Sequence, residues 1–464
     1  MNERENAVKV VWALAWPAVA LNSMQVVNTL LDSFFVGHLK ESSVTAYGGM
    51  TPVLFLMFSL AMTFGTAATA LVSRAFGARN VEEWKTASRQ CSAFAFMVGC
   101  CFAVLCWLLA EPAARLMLPP DSNEAVQLMA SFFRVYAIGL PAIYLVQALA
   151  GSLRATGDTK SPMVISGVTI GLHIVFNLLL IRESLTIGGV AFGTAGLGLQ
   201  GAGVALTSSA CISALIYLAY ASRTAIGNQN PLLLPKVAWA KRIVNVAVPA
   251  AVMNVLRVGS LFAFQMALIH VPDGSHAIAG LRPAFAIESI MFMPSFGLSM
   301  AAAALVGQSL GMGKPDRAER LGWAAAHMGA VITLALCIPV FIFAPFISLT
   351  QLGDKPEIVA QSVSLLRTLC TTEVFFAYAM VIIGAMQGAG DTRRPLWVTV
   401  VNLWLLRVPL AYVLALQAGA LAWLPFGVGM GAIGAWIAMA ISQATQGIMS
   451  MALFKAGAWK STQV

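Results

Sequence analysis

The chain has 464 residues; 10% of them are charged, 59% are hydrophobic, and the mean hydropathy is +0.81. A soluble globule carries about a quarter charged residues, and charges this sparse cannot cover the surface of a 49.0 kDa protein. An ordinary cytosolic enzyme, a disulfide-rich secreted protein and a disordered chain are excluded, which leaves a polytopic membrane protein.

Charged clusters, Gly/Pro breaks and polar runs divide the chain into apolar segments, and nearly all reach the ~20 helical residues that cross a hydrocarbon core. None shows the strict alternation of a barrel strand. The expected class is an all-α integral membrane protein of twelve transmembrane helices. Segment 1 (10–37) holds Pro17, Asn28 and Asp32, and the polar amino end runs into it without a separate short apolar region. It therefore reads as helix 1 and as the insertion signal. Segment 2 (45–72) runs into the basic stretch ALVSRAFGARN, segment 3 (88–110) holds Cys91, Cys100, Cys101 and Cys106, and segment 4 (126–150) holds Pro141. Segment 5 (162–181) holds Asn177, and segment 6 (197–221) holds Cys211.

A polar stretch from Arg223 to Trp239, with Pro231 and Pro235, follows segment 6. The expected organisation is an amino half over 1–225, a cytoplasmic linker over 226–242 and a carboxyl half over 243–464. Segment 7 (243–270) carries Pro249 and Arg257, and segment 8 (278–308) carries Glu288 and Pro294. Segment 9 (321–343) holds Cys337, segment 10 (359–387) Cys370 and Glu373, and segment 11 (396–416) Arg407 and Pro409; segment 12 is 428–453. Interior prolines remove a backbone donor and permit bends. The cysteines form neither a CxxC pair nor a Cys/His cluster, so they read as small hydrophobes.

The net charge of +9 sits mostly in short loops. One side holds Arg74, Arg79, Lys160, Lys241, Arg393 and Lys455 among many others, whereas the opposite loops hold Lys40, Arg115, Arg182, Arg282 and Lys355. The excess of Lys and Arg marks the cytoplasmic side, so both termini are expected in the cytoplasm of a multi-pass inner-membrane protein, facing anionic lipid rather than nucleic acid. The Gly-rich run GLGLQGAG (196–203) lacks a strand–turn–helix context and a Walker lysine, and neither HExxH nor GxSxG occurs. No cofactor and no enzymatic activity are expected, and uphill work must draw on an ion gradient.

The halves look related. ALVSRAFG (70–77) aligns with ALVGQSLG (304–311), and Gly157-Asp158-Thr159 with Gly390-Asp391-Thr392. Pro17 aligns with Pro249, and Gly203 with Gly434. A six-helix repeat has both ends on one side, so the halves relate by an axis along the membrane normal, an organisation suited to transport by rocking.

Ionisable and amide groups within such helices need a partner, a cavity or a task. Asp32 is the first candidate: its carboxylate can take a proton, coordinate Na+ with Asn28 and Asn177, or pair with a cationic solute. Asn28 lies four residues earlier, on the same helical face. Glu288 and Glu373 are candidates for ion or solute binding, or for pairing with Arg257 or Arg407. Met and Phe clusters such as IMFMPSF (290–296) suit either a pocket for lipophilic cations or contact with lipid.

LAWPAVALNSMQVVNTLLDSFFVGHL at the start resembles the multidrug and toxic compound extrusion (MATE) family, as do GSLRATGDTKSP, ALVGQSLGMGKPDRA and GAMQGAGDTRRP in that order. The resemblance spans essentially all twelve segments. It implies a V-shaped, two-lobed, monomeric exporter that exchanges H+ or Na+ for organic cations and other amphipathic molecules. Within it, Asp32 matches the family's acid on helix 1 and Asn177 its helix 5 asparagine. One branch carries a further aspartate where this chain has Ile181. Another carries a helix 7 carboxylate where this chain has Arg257, with a helix 10 acid that Glu373 matches approximately. A proton is the favoured coupling ion, because one amino-half acid is enough to bind it. A flippase for lipid-linked sugars or peptidoglycan precursors is the alternative, kept open by Arg257 and Arg407.

Overall fold

A computed structural model describes residues 3–181, 184–187, 190–193, 195–272, 274–421 and 426–462. Arg182 lies outside the described residues, as does the side chain of Arg282. Among the described residues twelve helices are long and apolar enough to cross a membrane. They are α1 (Glu3–Gly37), α2 (Glu41–Gly77), α3 (Val81–Met117), α4 (Asn123–Ala155), α5 (Lys160–Leu180) and α6 (Gly198–Ala221). They continue as α7 (Val237–Ile269), α8 (Gly274–Gly311), α9 (Pro315–Leu352), α10 (Pro356–Gly388), α11 (Arg393–Ala415) and α12 (Ala432–Ala456). The protein is an all-α, multi-pass membrane protein.

Several helices extend well beyond the apolar segment that announces them. α3 runs from Val81 although its apolar run begins near residue 88, because Asn80 caps it: its side chain accepts from the Glu83 N–H at 3.1 Å. The sequence also gave no warning of a hairpin between α5 and α6, where β1 (Ser184–Ile187) pairs antiparallel with β2 (Val190–Gly193). In α11, residues Val400–Arg407 widen into a π-helical turn just before Pro409, whose missing N–H breaks the ordinary ladder.

The chain divides into two compact units, Ala20–Ala247 and Met1–Val19 with Val248–Val464, so α1 and α7 each contribute to both. In the first unit, α2 and α4 cross closely at Gly65 and Gly151. A Cβ on Gly151 would meet the Gly65 carbonyl oxygen at 2.3 Å, and Thr69 Oγ1 donates to the Gly151 carbonyl at 3.2 Å. The stretch after α6 docks on α3. Trp84 Nε1 donates to the Ala225 carbonyl, and Gln229 Oε1 accepts from Ser88 and Ser92.

In the second unit, α8 and α10 repeat that crossing. A Cβ on Gly384 would meet Ser299 Oγ at 2.0 Å, and Ser299 Oγ donates to the Met380 carbonyl at 3.0 Å. One apolar core there joins Val11 and Ala15 of α1 to Leu298, Ala302, Val381 and Phe454; a second gathers Phe264, Leu281, Leu365 and Trp436.

The two GDT stretches do the same structural work. Gly157 and Gly390 take φ values of 94° and 85°, a conformation open to glycine. The following aspartate then caps the next helix: Asp158 Oδ1 accepts from the Ser161 N–H, and Asp391 Oδ1 from the Arg394 N–H.

Candidate functional site

Asp32 lies in the last third of α1, and its side chain is 23% exposed. Asn177 Nδ2, from α5, donates to its Oδ1 at 2.8 Å; Asn28 Nδ2, one turn earlier on α1, donates to its Oδ2 at 3.4 Å. Asn28 and Asn177 are buried, as is His173 one turn before Asn177. His173 Nδ1 is 3.1 Å from Asn28 Oδ1, and Nε2 is 3.5 Å from Asn177 Nδ2. A neutral imidazole with its proton on Nδ1 satisfies both contacts, donating to one amide and accepting from the other. That arrangement turns both amide NH2 groups toward Asp32. It leaves Asn177 Oδ1 buried without a partner, a spare acceptor beside the carboxylate.

A small cavity of about 40 Å3 opens at Asp32. Its wall includes Val36, Tyr47, Leu54, Phe132, His173, Asn177 and Leu206, drawn from α1, α2, α4, α5 and α6. It lies wholly within the first unit. The carboxylate thus faces a space with apolar walls, two amides and one imidazole, where a proton or a small cation can exchange.

A second polar cluster occupies the other unit. Glu288 on α8 accepts from Gln443 Nε2 of α12 at 3.1 Å, and Gln443 Oε1 accepts from Thr372 of α10 at 2.8 Å. Next to Thr372, Glu373 is 0% exposed, and neither of its carboxyl oxygens has a hydrogen-bond partner. Arg407, at the end of the π-helical turn, donates from Nε to Ser442 Oγ at 2.6 Å. Its charge acts on both carboxyls and on Arg257. Among the described residues neither carboxyl forms an ion pair with either arginine. The charge pairing that the sequence left open is replaced by amide and hydroxyl partners on α12.

The structure thus brings Asp32, Asn28 and Asn177 together and holds Glu288, Glu373 and Arg257 in a separate unit. His173 was not singled out from the sequence; its spacing of four residues before Asn177 was the available signal. Gln443, Thr372 and Ser442 carried no signal, being far from Glu288 and Arg407 along the chain. Among the described residues, no group of three or more His, Cys, Asp or Glu converges as a metal centre would require.

The family model MatE matches residues 17–179 and 249–413, one stretch in each half. A protein of Thermotoga maritima described as a probable multidrug resistance protein NorM is 26% identical over 460 residues, covering 97% of this chain and 93% of that protein. A Bradyrhizobium diazoefficiens protein of the same description is 28% identical, covering 92% and 89%. Among solved structures, a MOP superfamily transporter from Pyrococcus furiosus Vc1 superposes with a TM-score of 0.86 at 22% identity, covering 98% of this chain and 97% of that one. An outward-facing multidrug resistance MATE transporter superposes with a TM-score of 0.84 at 22% identity, covering 98% and 97%.

Proposed function

Since this chain belongs to the MatE family of membrane transporters, we propose that it is a monomeric secondary exporter of cationic and amphipathic organic compounds, driven by proton entry. The observation that carries the reading is the Asp32 cradle: a carboxylate beside a cavity, with two amides donating to it and an imidazole fixing those amides. A charge in a low-dielectric chamber needs a partner, and a proton and an organic cation are alternative partners for the same carboxylate. When a proton reaches Asp32 from outside, the cation loses its counter-charge and leaves. When the proton departs inside, the charge returns and a new cation is drawn in. The names of the Thermotoga and Bradyrhizobium relatives support multidrug export as the cargo class.

Glu288, Glu373 and Arg257 assist in this reading from the carboxyl half, where they shape the electrostatic field without exchanging the coupling ion. Na+ is the competing coupling ion, because Asp32, Asn28 and Asn177 offer the hard oxygen donors it takes.

The test is ethidium efflux from proteoliposomes under an imposed pH gradient or an imposed Na+ gradient. A pH gradient alone is expected to drive efflux, and Asp32→Asn to reduce it to the passive leak while the protein still inserts. Efflux driven by Na+ alone would overturn proton coupling. Undiminished efflux by Asp32→Asn would overturn the assignment of Asp32 itself.

A further inference from the structure

Met291 on α8, Cys337 on α9 and Cys370 on α10 form a buried cluster of their own, separate from the two larger apolar cores of the same unit. Cys337 Sγ lies 3.9 Å from Met291 Sδ, and the Cys370 thiol is its other neighbour in the cluster. Neither cysteine is in a disulfide. Three sulfur-bearing side chains from three helices therefore cluster inside the bundle, with Leu336 and Val340 packed against them. One turn beyond Cys370 on the same helix stands Glu373, wholly buried, with neither carboxyl oxygen in a hydrogen bond. Packing alone gives no reason for a carboxyl without a hydrogen bond one turn from this cluster, because a buried polar group without a partner costs about 1–3 kcal/mol.

We propose that Met291, Cys337 and Cys370 form a binding site for a soft monovalent d10 metal ion, copper(I) or silver(I). The donor set selects the ion. Thiolate and thioether ligands favour copper(I) over harder ions, and the absence of a converging His/Cys/Asp/Glu group among the described residues argues against a zinc-type tetrahedral centre. Two or three sulfur donors satisfy a d10 monovalent ion, and three are present. The charge balances as well. The metal ion replaces the proton of one thiol, that proton leaves to bulk solvent, and the other thiol and the thioether donate lone pairs. One positive charge enters as one leaves, so the net charge of the bundle is unchanged; a divalent ion would leave an uncompensated charge there.

The test uses the full-length protein in detergent, with Cys100, Cys101, Cys106 and Cys211 replaced by serine to remove the more exposed thiols. Copper(I) is supplied as its bathocuproine disulfonate complex, and the loss of the complex's absorbance reads transfer to the protein. One copper(I) per chain is expected. Cys337→Ala with Cys370→Ala should abolish transfer, and Met291→Leu, which conserves volume, should weaken it about tenfold through loss of the thioether donor. X-ray absorption of the loaded protein should show only sulfur neighbours. No transfer to the starting protein would overturn the proposal, as would unchanged transfer to the double variant eluting as the same monodisperse peak. If the double variant fails to fold, unchanged affinity in Met291→Leu overturns it instead.

Discussion

The two halves share a scaffold and differ in their chemistry. Gly65 and Gly151 make the α2–α4 crossing, and Ser299 and Gly384, 234 and 233 residues later, make the α8–α10 crossing in the same way. The capped turns at Asp158 and Asp391 match too. The polar groups do not. At the same offsets, Glu288 answers to Leu54 and Glu373 to Leu140; Asp32, 232 residues before the matching place on α7, answers to Phe264. Leu54 is itself part of the wall around Asp32. Repetition therefore preserves the backbone approaches that let helices cross and turn, while each half has acquired its own ionisable groups. In the amino half the carboxylate is cradled and faces a cavity. In the carboxyl half one carboxyl leans on an amide, and the other is sealed in with no partner.

The largest effects should fall on the shared scaffold and be equal in the two halves. Gly151→Val and Gly384→Val each drive side-chain atoms into the opposing helix, where even a Cβ lies 2.3 Å from the Gly65 oxygen or 2.0 Å from Ser299 Oγ. Overpacking of this kind costs about 1–3 kcal/mol or more. Size-exclusion profiles should lose the monodisperse peak for both variants. Collapse of one alone would mean that the two crossings are not mechanical equivalents.

Next come the carboxyls, where the halves should part company. Asp32→Asn is expected to lower gradient-driven efflux by more than about a hundredfold, in keeping with the loss of a charge that does the coupling. Glu373→Gln keeps the shape of a group that makes no hydrogen bond, and should lower efflux by about tenfold at most. Comparable losses in the two variants, measured in the same proteoliposomes, would break the distinction and give the carboxyl half an equal share in coupling.

Much of this was legible from residues alone. Twelve apolar runs, the excess of basic loops on one side and the paired GDT stretches come from composition and order, which report directly on transfer to hydrocarbon and on turn geometry. Asn28 beside Asp32 follows from helical spacing. What lies across helices was not readable. Gln443 meets Glu288 over 155 residues, and Ser442 meets Arg407 over 35, through packing that no local pattern encodes. The widened turn at Val400–Arg407 and the hairpin after α5 escaped for a related reason: both sit where the apolar signal is continuous or brief.

The smallest effect, and the finest probe of the amino-half cradle, belongs to His173. Its two ring nitrogens reach Asn28 and Asn177, and both amides reach Asp32; Nδ1 itself stands 3.7 Å from Asp32 Oδ1, beyond hydrogen-bond distance, so the imidazole's hydrogen bonds hold the carboxylate's two donors. It is a positioning residue. His173→Leu removes both contacts and frees the amides to turn their oxygens toward the carboxylate. The net loss for one such hydrogen bond, about 0.5–1.5 kcal/mol, corresponds to roughly a tenfold weaker apparent affinity for the coupling ion. His173→Gln can still donate to one amide and accept from the other, and should recover most of that loss. The maximal efflux rate should change little in either variant, because Asp32 keeps its charge and its cavity. A fall in maximal rate with unchanged ion affinity would mean that His173 carries a proton itself, and the contrast between the halves would then rest on two titrating groups rather than one.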